Sequence, residues 1–281
     1  LPFFDDTGFI PSKRYVSQHE IADYAEMLAD HFDIRKHIKF SYEVTKLEYL
    51  KNGFWSIEAK NLNSNNDIEY FEARHVVSAN GPLSTPRMPE LGGMESFQGE
   101  SFHTAKWDND INLRGKSVGI IGTGASAAQV ITSIADEVKQ LTVFQRTPTW
   151  AIEREDQPTP PEIVEAFKAG GYSTKLRHVD WKRELPPDPN IPFTFEQLHD
   201  KKWNADVCAL LSERIKNDVK DAETAKLLTP DYPFFCKRVL IIDDYFTTYN
   251  KDNVKLVHEP GGVTEITEKG LVVASGASYE L

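Results

Sequence analysis

Apolar positions in the first third of the chain follow two rhythms. Ile21, Tyr24, Ala25, Leu28 and Phe32 recur at helical spacing, which predicts one buried helix face. Ser17-Gln18-His19-Glu20 stands just before them. It is a capping-box pattern, with Ser17 as N-cap and Glu20 at the third helical position. The helix is expected to run to about Asp33. Short β-branched and aromatic runs follow and predict strands at Ile38–Tyr42, Val44–Leu50, Phe54–Ala59, Ile68–Phe71 and Val76–Ala79. The polar run Asn61–Asp67 reads as a hairpin loop between two of them. Asn80-Gly81-Pro82 and Pro86-Arg87-Met88-Pro89 then interrupt both rhythms and mark a domain boundary.

Beyond that boundary the pattern is strand, turn, helix, strand. Ser117–Ile121 leads into Gly122-Thr123-Gly124, a helix is expected through about Lys139, and Leu141–Gln145 follows. This is half of a Rossmann-type βαβ unit. The stretch Gln157–Pro192 is rich in Pro and charge, with a short helix near Glu162–Ala169. A polar helical stretch covers roughly Phe195–Leu228, and strands return at Arg238–Ile242 and Val254–Val257. No repeat of solenoid period occurs. The mixture of strands and helices argues for an α/β fold.

Composition narrows the class. The 281 residues suggest about two domains. Hydrophobic residues at 40%, charged residues at 27% and five Trp describe a globular protein and exclude a disordered one. A net charge of −11 argues against nucleic acid or an anionic membrane as the main partner. The longest apolar runs, such as Val118–Ile121 and Val239–Ile242, are far too short to span a bilayer. Cys208 and Cys236 are too few for a disulfide framework or a zinc site, so no metal is expected and a reducing cytoplasm suits the chain. The chain opens at Leu1 without Met and closes at Leu281, soon after the strand-like Leu271-Val272-Val273-Ala274. It is expected to be part of a longer protein.

Three constellations carry chemistry. In Gly122-Thr123-Gly124-Ala125-Ser126-Ala127 the first Gly permits a tight turn and the second lets a pyrophosphate approach the backbone. The small Ala127 lets helix pack on strand, and the helix N-terminus offers unpaired N–H groups to phosphates. The apolar strand before it and the helix after it give the motif its required context. The second constellation chooses the dinucleotide. An NAD site wants an acid about 20 residues beyond the glycines, whereas this chain has Val143-Phe144-Gln145-Arg146-Thr147-Pro148. Arg146, 24 residues past Gly122, can grip a 2′-phosphate bidentately, and Thr147 adds a hydroxyl donor. NADPH is the expected coenzyme.

The third constellation is Phe97-Gln98-Gly99-Glu100-Ser101-Phe102-His103-Thr104-Ala105-Lys106-Trp107-Asp108. Its F-x-G-x-x-x-H-x-x-x-W-D spacing closely resembles the fingerprint of Baeyer–Villiger monooxygenases, a class of flavin enzymes. The similarity continues through Arg14-Tyr15-Val16-Ser17-Gln18, Ser78-Ala79-Asn80-Gly81, Phe144–Pro148 and Pro233-Phe234-Phe235-Cys236-Lys237-Arg238.

That resemblance implies a Rossmann-type NADPH-binding domain inserted in a FAD-binding Rossmann-like domain that is incomplete here. Residues 1–88 would be the partial FAD-binding domain, 89–250 the NADPH-binding domain with a helical insertion, and 251–281 a truncated return to the first. It also implies oxygenation of a ketone to an ester or lactone, using O2, NADPH and FAD, through a flavin peroxide. On this likeness Gly122, Thr123, Gly124, Ala125, Ser126, Arg146, Thr147 and Lys237 bind the nicotinamide coenzyme, and Arg238 is catalytic. An always-protonated cation suits an anionic peroxide. Phe97, Gly99, His103, Trp107 and Asp108 are expected to couple the domains rather than to do acid–base chemistry.

The chain departs from the family pattern in three respects: no second G-x-G-x-x-G precedes Gly81, so the FAD pyrophosphate loop is absent; the family's upstream Asp-containing segment beside the catalytic Arg is absent too; and the family's Ala-Thr-Gly-Phe-like strand after the last hairpin is not reached. Two other readings stay open. A monooxygenase acting on nitrogen or sulfur shares the F-x-G-x-x-x-H frame but usually lacks the Trp-Asp ending seen at Trp107-Asp108. A non-catalytic NADP-binding protein fits the absent loop, while the joint presence of Lys237 and Arg238 speaks against it.

Overall fold

The structure, a computed structural model, describes residues 3–81, 83, 85–170 and 195–281. Their contacts separate two units, Leu1–Thr85 with Asp156–Glu184, and Pro86–Glu155 with Leu185–Leu281. Among the described residues, no helix is long and apolar enough to cross a membrane.

In the first unit, α1 (Phe4–Thr7) and α2 (Gln18–His31) precede a three-stranded antiparallel sheet. Its strands are β1 (Tyr42–Tyr49), β2 (Trp55–Asn61) and β3 (Asp67–Ala73), paired in that order. The Ser17 hydroxyl accepts from the Glu20 N–H at 3.3 Å, as an N-cap should. The other half of the capping box does not form. The Glu20 carboxylate instead accepts from the Ser12 N–H at 2.7 Å and the Ser12 hydroxyl at 2.5 Å. Of the apolar face of α2, only Tyr24 is buried. Asn61–Asp67 does form the turn between β2 and β3, with the Asn61 carbonyl accepting from Ser64 N–H.

Two expected strands are not formed. The chain before Tyr42 makes a 3-10 turn at Arg35–His37, and Ser41 takes a φ of +61°. Val76–Ala79 has no sheet partner among the described residues, and Val77 is 88% exposed. Apolar β-branched sequence becomes strand only where a neighbouring backbone completes the ladder.

The second unit is built around a parallel sheet. Its first strand β4 (Ser117–Ile121) is followed by helix α3 (Ala125–Ile134) and β5 (Gln140–Gln145). Short strands β6 (Ala151–Ile152) and β7 (Leu240–Ile241) pair with each other in parallel. β8 (Val254–His258) completes the main sheet in the order β4-β5-β8. β9 (Val263–Thr267), β10 (Gly270–Val273) and β11 (Ser278–Glu280) then make an antiparallel sheet of their own.

Strand β5 lies in the middle, which explains its sequence: Leu141 through Gln145 are all buried. A strand covered on both faces carries a continuous apolar run instead of an alternating one. Ala127, Ala128, Ile131 and Ile134 of α3 join Leu141 and Val143 in one core. Trp150, Leu211, Ile215 and Leu228 extend it to the helices Lys201–Asp218 and Ala222–Leu228.

Two elements are shorter than the sequence suggests. Helix α3 stops at Ile134, not near Lys139, and Asn253 shows why: its amide donates to the carbonyls of Ala135 at 2.8 Å and Val138 at 3.0 Å. The Ala135 carbonyl is the acceptor that Lys139 would have used in a continuing helix, and the Lys139 N–H goes instead to the Lys116 carbonyl at 2.9 Å. Strand β7 has two residues where five were expected, because its partner β6 is equally short. Much of the Pro-rich stretch, 171–192, lies outside the described residues; its preceding helix is present at Pro161–Lys168.

Candidate dinucleotide site

Strand β4 delivers the chain to Gly122, whose φ of +106° only glycine adopts without strain. Its N–H donates to the Phe144 carbonyl at 2.9 Å, which folds the turn back onto β5. Gly124 caps α3 in an extended conformation and, having no side chain, caps nothing. The first intrahelical bond runs from the Ala128 N–H to the Gly124 carbonyl. The N–H groups of Ala125, Ser126 and Ala127 therefore face outward with the positive end of the helix dipole. A Cβ added at Gly122 or Gly124 would meet nothing within 4 Å. The space above the turn is open, as an approaching pyrophosphate requires. Ala127 is buried against the sheet.

Residues 144–148 form a strap alongside this turn, and nearly every one is tied down. The Phe144 carbonyl holds Gly122, and the Gln145 carbonyl accepts from the Glu259 N–H at 2.8 Å. The Thr147 carbonyl accepts from the Thr123 hydroxyl at 3.0 Å, and the Pro148 carbonyl accepts from the Tyr232 phenol at 2.9 Å. Arg146 is the exception: it is exposed and has no ion-pair partner among the described residues. A fixed backbone carrying one free guanidinium is what an anion-binding residue needs. Thr123 is buried with its hydroxyl turned inward, so it can offer a ligand only its backbone.

The segment carrying Lys237 and Arg238 is anchored to the same strap. The Trp150 indole N–H donates to the Tyr232 carbonyl at 2.9 Å, and Asn204 clamps Phe234 through both its N–H and its carbonyl, each at 2.9 Å. The Lys237 ammonium sits 4.7 Å from the centre of the Tyr232 ring. Tyr232 thus bridges Lys237 to Pro148, and burial raises its phenol above the ordinary value. Arg238 is exposed and lines a groove of about 450 Å3 with Phe234, Phe235, Lys237 and Ile241. Phe235 takes a φ of +71°, a costly conformation for a bulky residue. Tyr232, Trp150 and Asn204 were not legible in the sequence, since each acts through a long-range bond that no spacing announces.

The fingerprint residues build a local self-packed segment. The Phe97 ring lies so close to Gly99 that a Cβ there would sit 2.7 Å from it. His103 accepts from the Ala105 N–H through Nδ1 at 3.1 Å and so caps the short turn Thr104–Lys106. Trp107 packs edge-on against Phe102 at 5.0 Å, and Asp108 accepts from the Asp110 N–H at 3.0 Å. Gln98 N–H reaches the Glu268 carbonyl at 2.9 Å, which ties the segment to the turn between β9 and β10.

The residues present fit a nicotinamide dinucleotide: an open glycine turn and an exposed Arg146 on the strap beside it. The described part of the first unit has an antiparallel sheet, and the sequence before Gly81 has no glycine-rich strand–helix turn.

An apolar parallel strand, an open glycine turn and a helix leading away place the second unit in the dinucleotide-binding class of α/β proteins. Residues 2–169 match the flavin-binding monooxygenase-like family, and the chain belongs to it. It is 33% identical over 322 aligned positions to 2-oxo-Delta(3)-4,5,5-trimethylcyclopentenylacetyl-CoA monooxygenase of Pseudomonas putida, covering 99% of this chain and 58% of that protein. It is 35% identical to a Baeyer–Villiger monooxygenase of Streptomyces coelicolor, over 95% of this chain and 49% of the relative. The crystal structure of OTEMO in complex with FAD and NADP superposes with a TM-score of 0.83 at 32% identity, covering 98% of this chain and 56% of that one. The chain thus spans about half the length of the curated relatives it matches.

Proposed function

We propose that this chain provides the NADPH-binding part of a Baeyer–Villiger monooxygenase that uses FAD and O2. The reaction converts a ketone, O2, NADPH and a proton into an ester or lactone, water and NADP+. The observation that carries the reading is the strap at 144–148, which immobilises the backbone around an unpaired Arg146 beside the open glycine turn. The family match and the relatives' names support the oxygenase chemistry. Trp107 and Asp108 favour ketone oxygenation over attack on nitrogen or sulfur.

In this reading Gly122, Gly124 and the first N–H groups of α3 receive the pyrophosphate. Arg146, Thr147 and Lys237 hold the 2′-phosphate, and the positive charges explain the choice of NADPH over NADH. Arg238, in the groove next to Lys237, supplies a fixed positive charge to an anion developing there. The unit Pro86–Glu155 with Leu185–Leu281 is the nicotinamide-coenzyme domain; it includes β8, which pairs with β5. The first unit belongs to the flavin domain. The bound flavin would supply the oxygen activation, and this chain alone lacks the loop to hold it.

The purified 281-residue chain tests this directly. Its visible spectrum should be colourless, and it should bind NADPH more tightly than NADH. Equal affinity for the two coenzymes removes the basis of the proposal.

A further inference from the structure

Gln145 is 1% exposed, yet neither the glycine turn nor the phosphate cations use its side chain. Its Nε2 donates to the carbonyl of Leu227 at 2.7 Å, in the last turn of the helix Ala222–Leu228. The same nitrogen lies 3.1 Å from Nδ1 of His258, its register partner on β8. Turning the amide over would set Oε1 against the Leu227 carbonyl, two acceptors face to face, so its orientation is fixed. His258 Nδ1 is then the acceptor in this bond.

The backbone closes the same joint. The Gln145 carbonyl takes the Glu259 N–H, and the Gly262 N–H returns to the Glu259 carbonyl at 2.8 Å. This turn passes beside the next residue of the strap: a Cβ at Gly262 would lie 3.9 Å from Cδ of Arg146. The Glu259 carboxylate is engaged by Ser275, whose side chain chiefly, and whose N–H at 3.3 Å as well, holds it below the usual carboxylate range.

We infer that Gln145 and His258 are positioning residues that set the preference for NADPH, by clamping the strand end from which Arg146 projects. The inference rests on the reading of Arg146 as the 2′-phosphate ligand. Neither residue touches the coenzyme. With the clamp made, the guanidinium starts from a fixed base and loses less freedom on meeting a phosphate. Without the His258 acceptor, one buried N–H of Gln145 is left unsatisfied and the end of the β5–β8 pair loosens.

The test is calorimetric titration of the 281-residue chain with NADP+ and with NAD+, for the wild type, Gln145→Leu, His258→Leu, His258→Asn and Arg146→Ala. Gln145→Leu and His258→Leu should each weaken NADP+ by about tenfold and leave NAD+ within about twofold. His258→Asn, which keeps an acceptor near the Nδ1 position, should recover most of the loss. Equal losses for both coenzymes, or no recovery in His258→Asn, overturns the clamp and leaves Gln145 a purely structural residue. Should Gln145→Leu fail to fold, the half-buried His258 pair decides alone. If Arg146→Ala abolishes the NADP+ preference while the Leu variants keep it, this inference fails and the 2′-phosphate reading stands. A wild type without preference, or an Arg146→Ala that retains it, sinks both.

Discussion

The Thr123 hydroxyl donates to the Thr147 carbonyl at 3.0 Å, across the open end of the sheet. This bond joins the glycine turn to the strap that carries Arg146, so the places proposed for pyrophosphate and 2′-phosphate share one framework. Thr123→Val keeps the shape of the side chain and removes the bond. The expected loss is about 1 kcal/mol of stability, together with a weaker NADP+ affinity, read by chemical denaturation and titration on the same preparation. Unchanged coenzyme binding would show that the two places are held independently.

Gly124 and Gly122 separate binding from folding. Gly124 has a φ of −75° and no neighbour that a methyl would strike. Gly124→Ala should melt like the wild type yet bind NADP+ about tenfold more weakly, because the methyl occupies the pyrophosphate's approach. Gly122→Ala should instead lower stability by about 1–3 kcal/mol through its positive φ. Thermal melts and coenzyme titrations of the two variants give opposite patterns if the turn works this way.

Arg146→Ala should reduce the preference for NADPH over NADH by about 10- to 100-fold, the worth of a charge-assisted bond to phosphate. The NADH affinity itself should barely move. Parallel titrations with the two reduced coenzymes measure the ratio directly.

The proposed role of Arg238 is in the reaction, not in coenzyme binding. In a full-length enzyme carrying these residues and a complete flavin site, Arg238→Ala should still consume NADPH while ester formation falls about 100-fold or more. Product analysis alongside NADPH oxidation distinguishes this from a general collapse. Normal ester yield would remove Arg238 from the chemistry.

Tyr245 and Tyr249 are buried with their hydroxyls 3.1 Å apart. Burial pushes Tyr245 up to about 12 and Tyr249 well above the ordinary phenol value of 10.0. The folded state therefore keeps both neutral where the unfolded chain ionises them. Their contribution is fully present below about pH 10 and drains away as the pH climbs through the folded values. Urea midpoints should fall more steeply between about pH 10 and about pH 12 in the wild type than in Tyr245→Phe/Tyr249→Phe.

What the sequence determined by itself was local. The run Val118–Ile121, the glycines at 122 and 124 and the apolar Leu141–Phe144 are each fixed by short-range physics, so strand, turn, helix and strand appear where periodicity places them. Arg146 could be singled out because coenzyme choice depends on a side chain at a set distance beyond the turn. Tertiary structure decided what no spacing records. Asn253 takes the carbonyls of Ala135 and Val138 just past the end of α3, and Val76–Ala79 has no sheet partner among the described residues although its residues favour strand. Tyr232, Trp150 and Asn204 hold Lys237 and Arg238 in place through bonds that span 30 to 84 residues of sequence. Propensity acts through a residue's immediate neighbours, whereas hydrogen-bond partners brought together by folding are invisible until the chain has closed on itself.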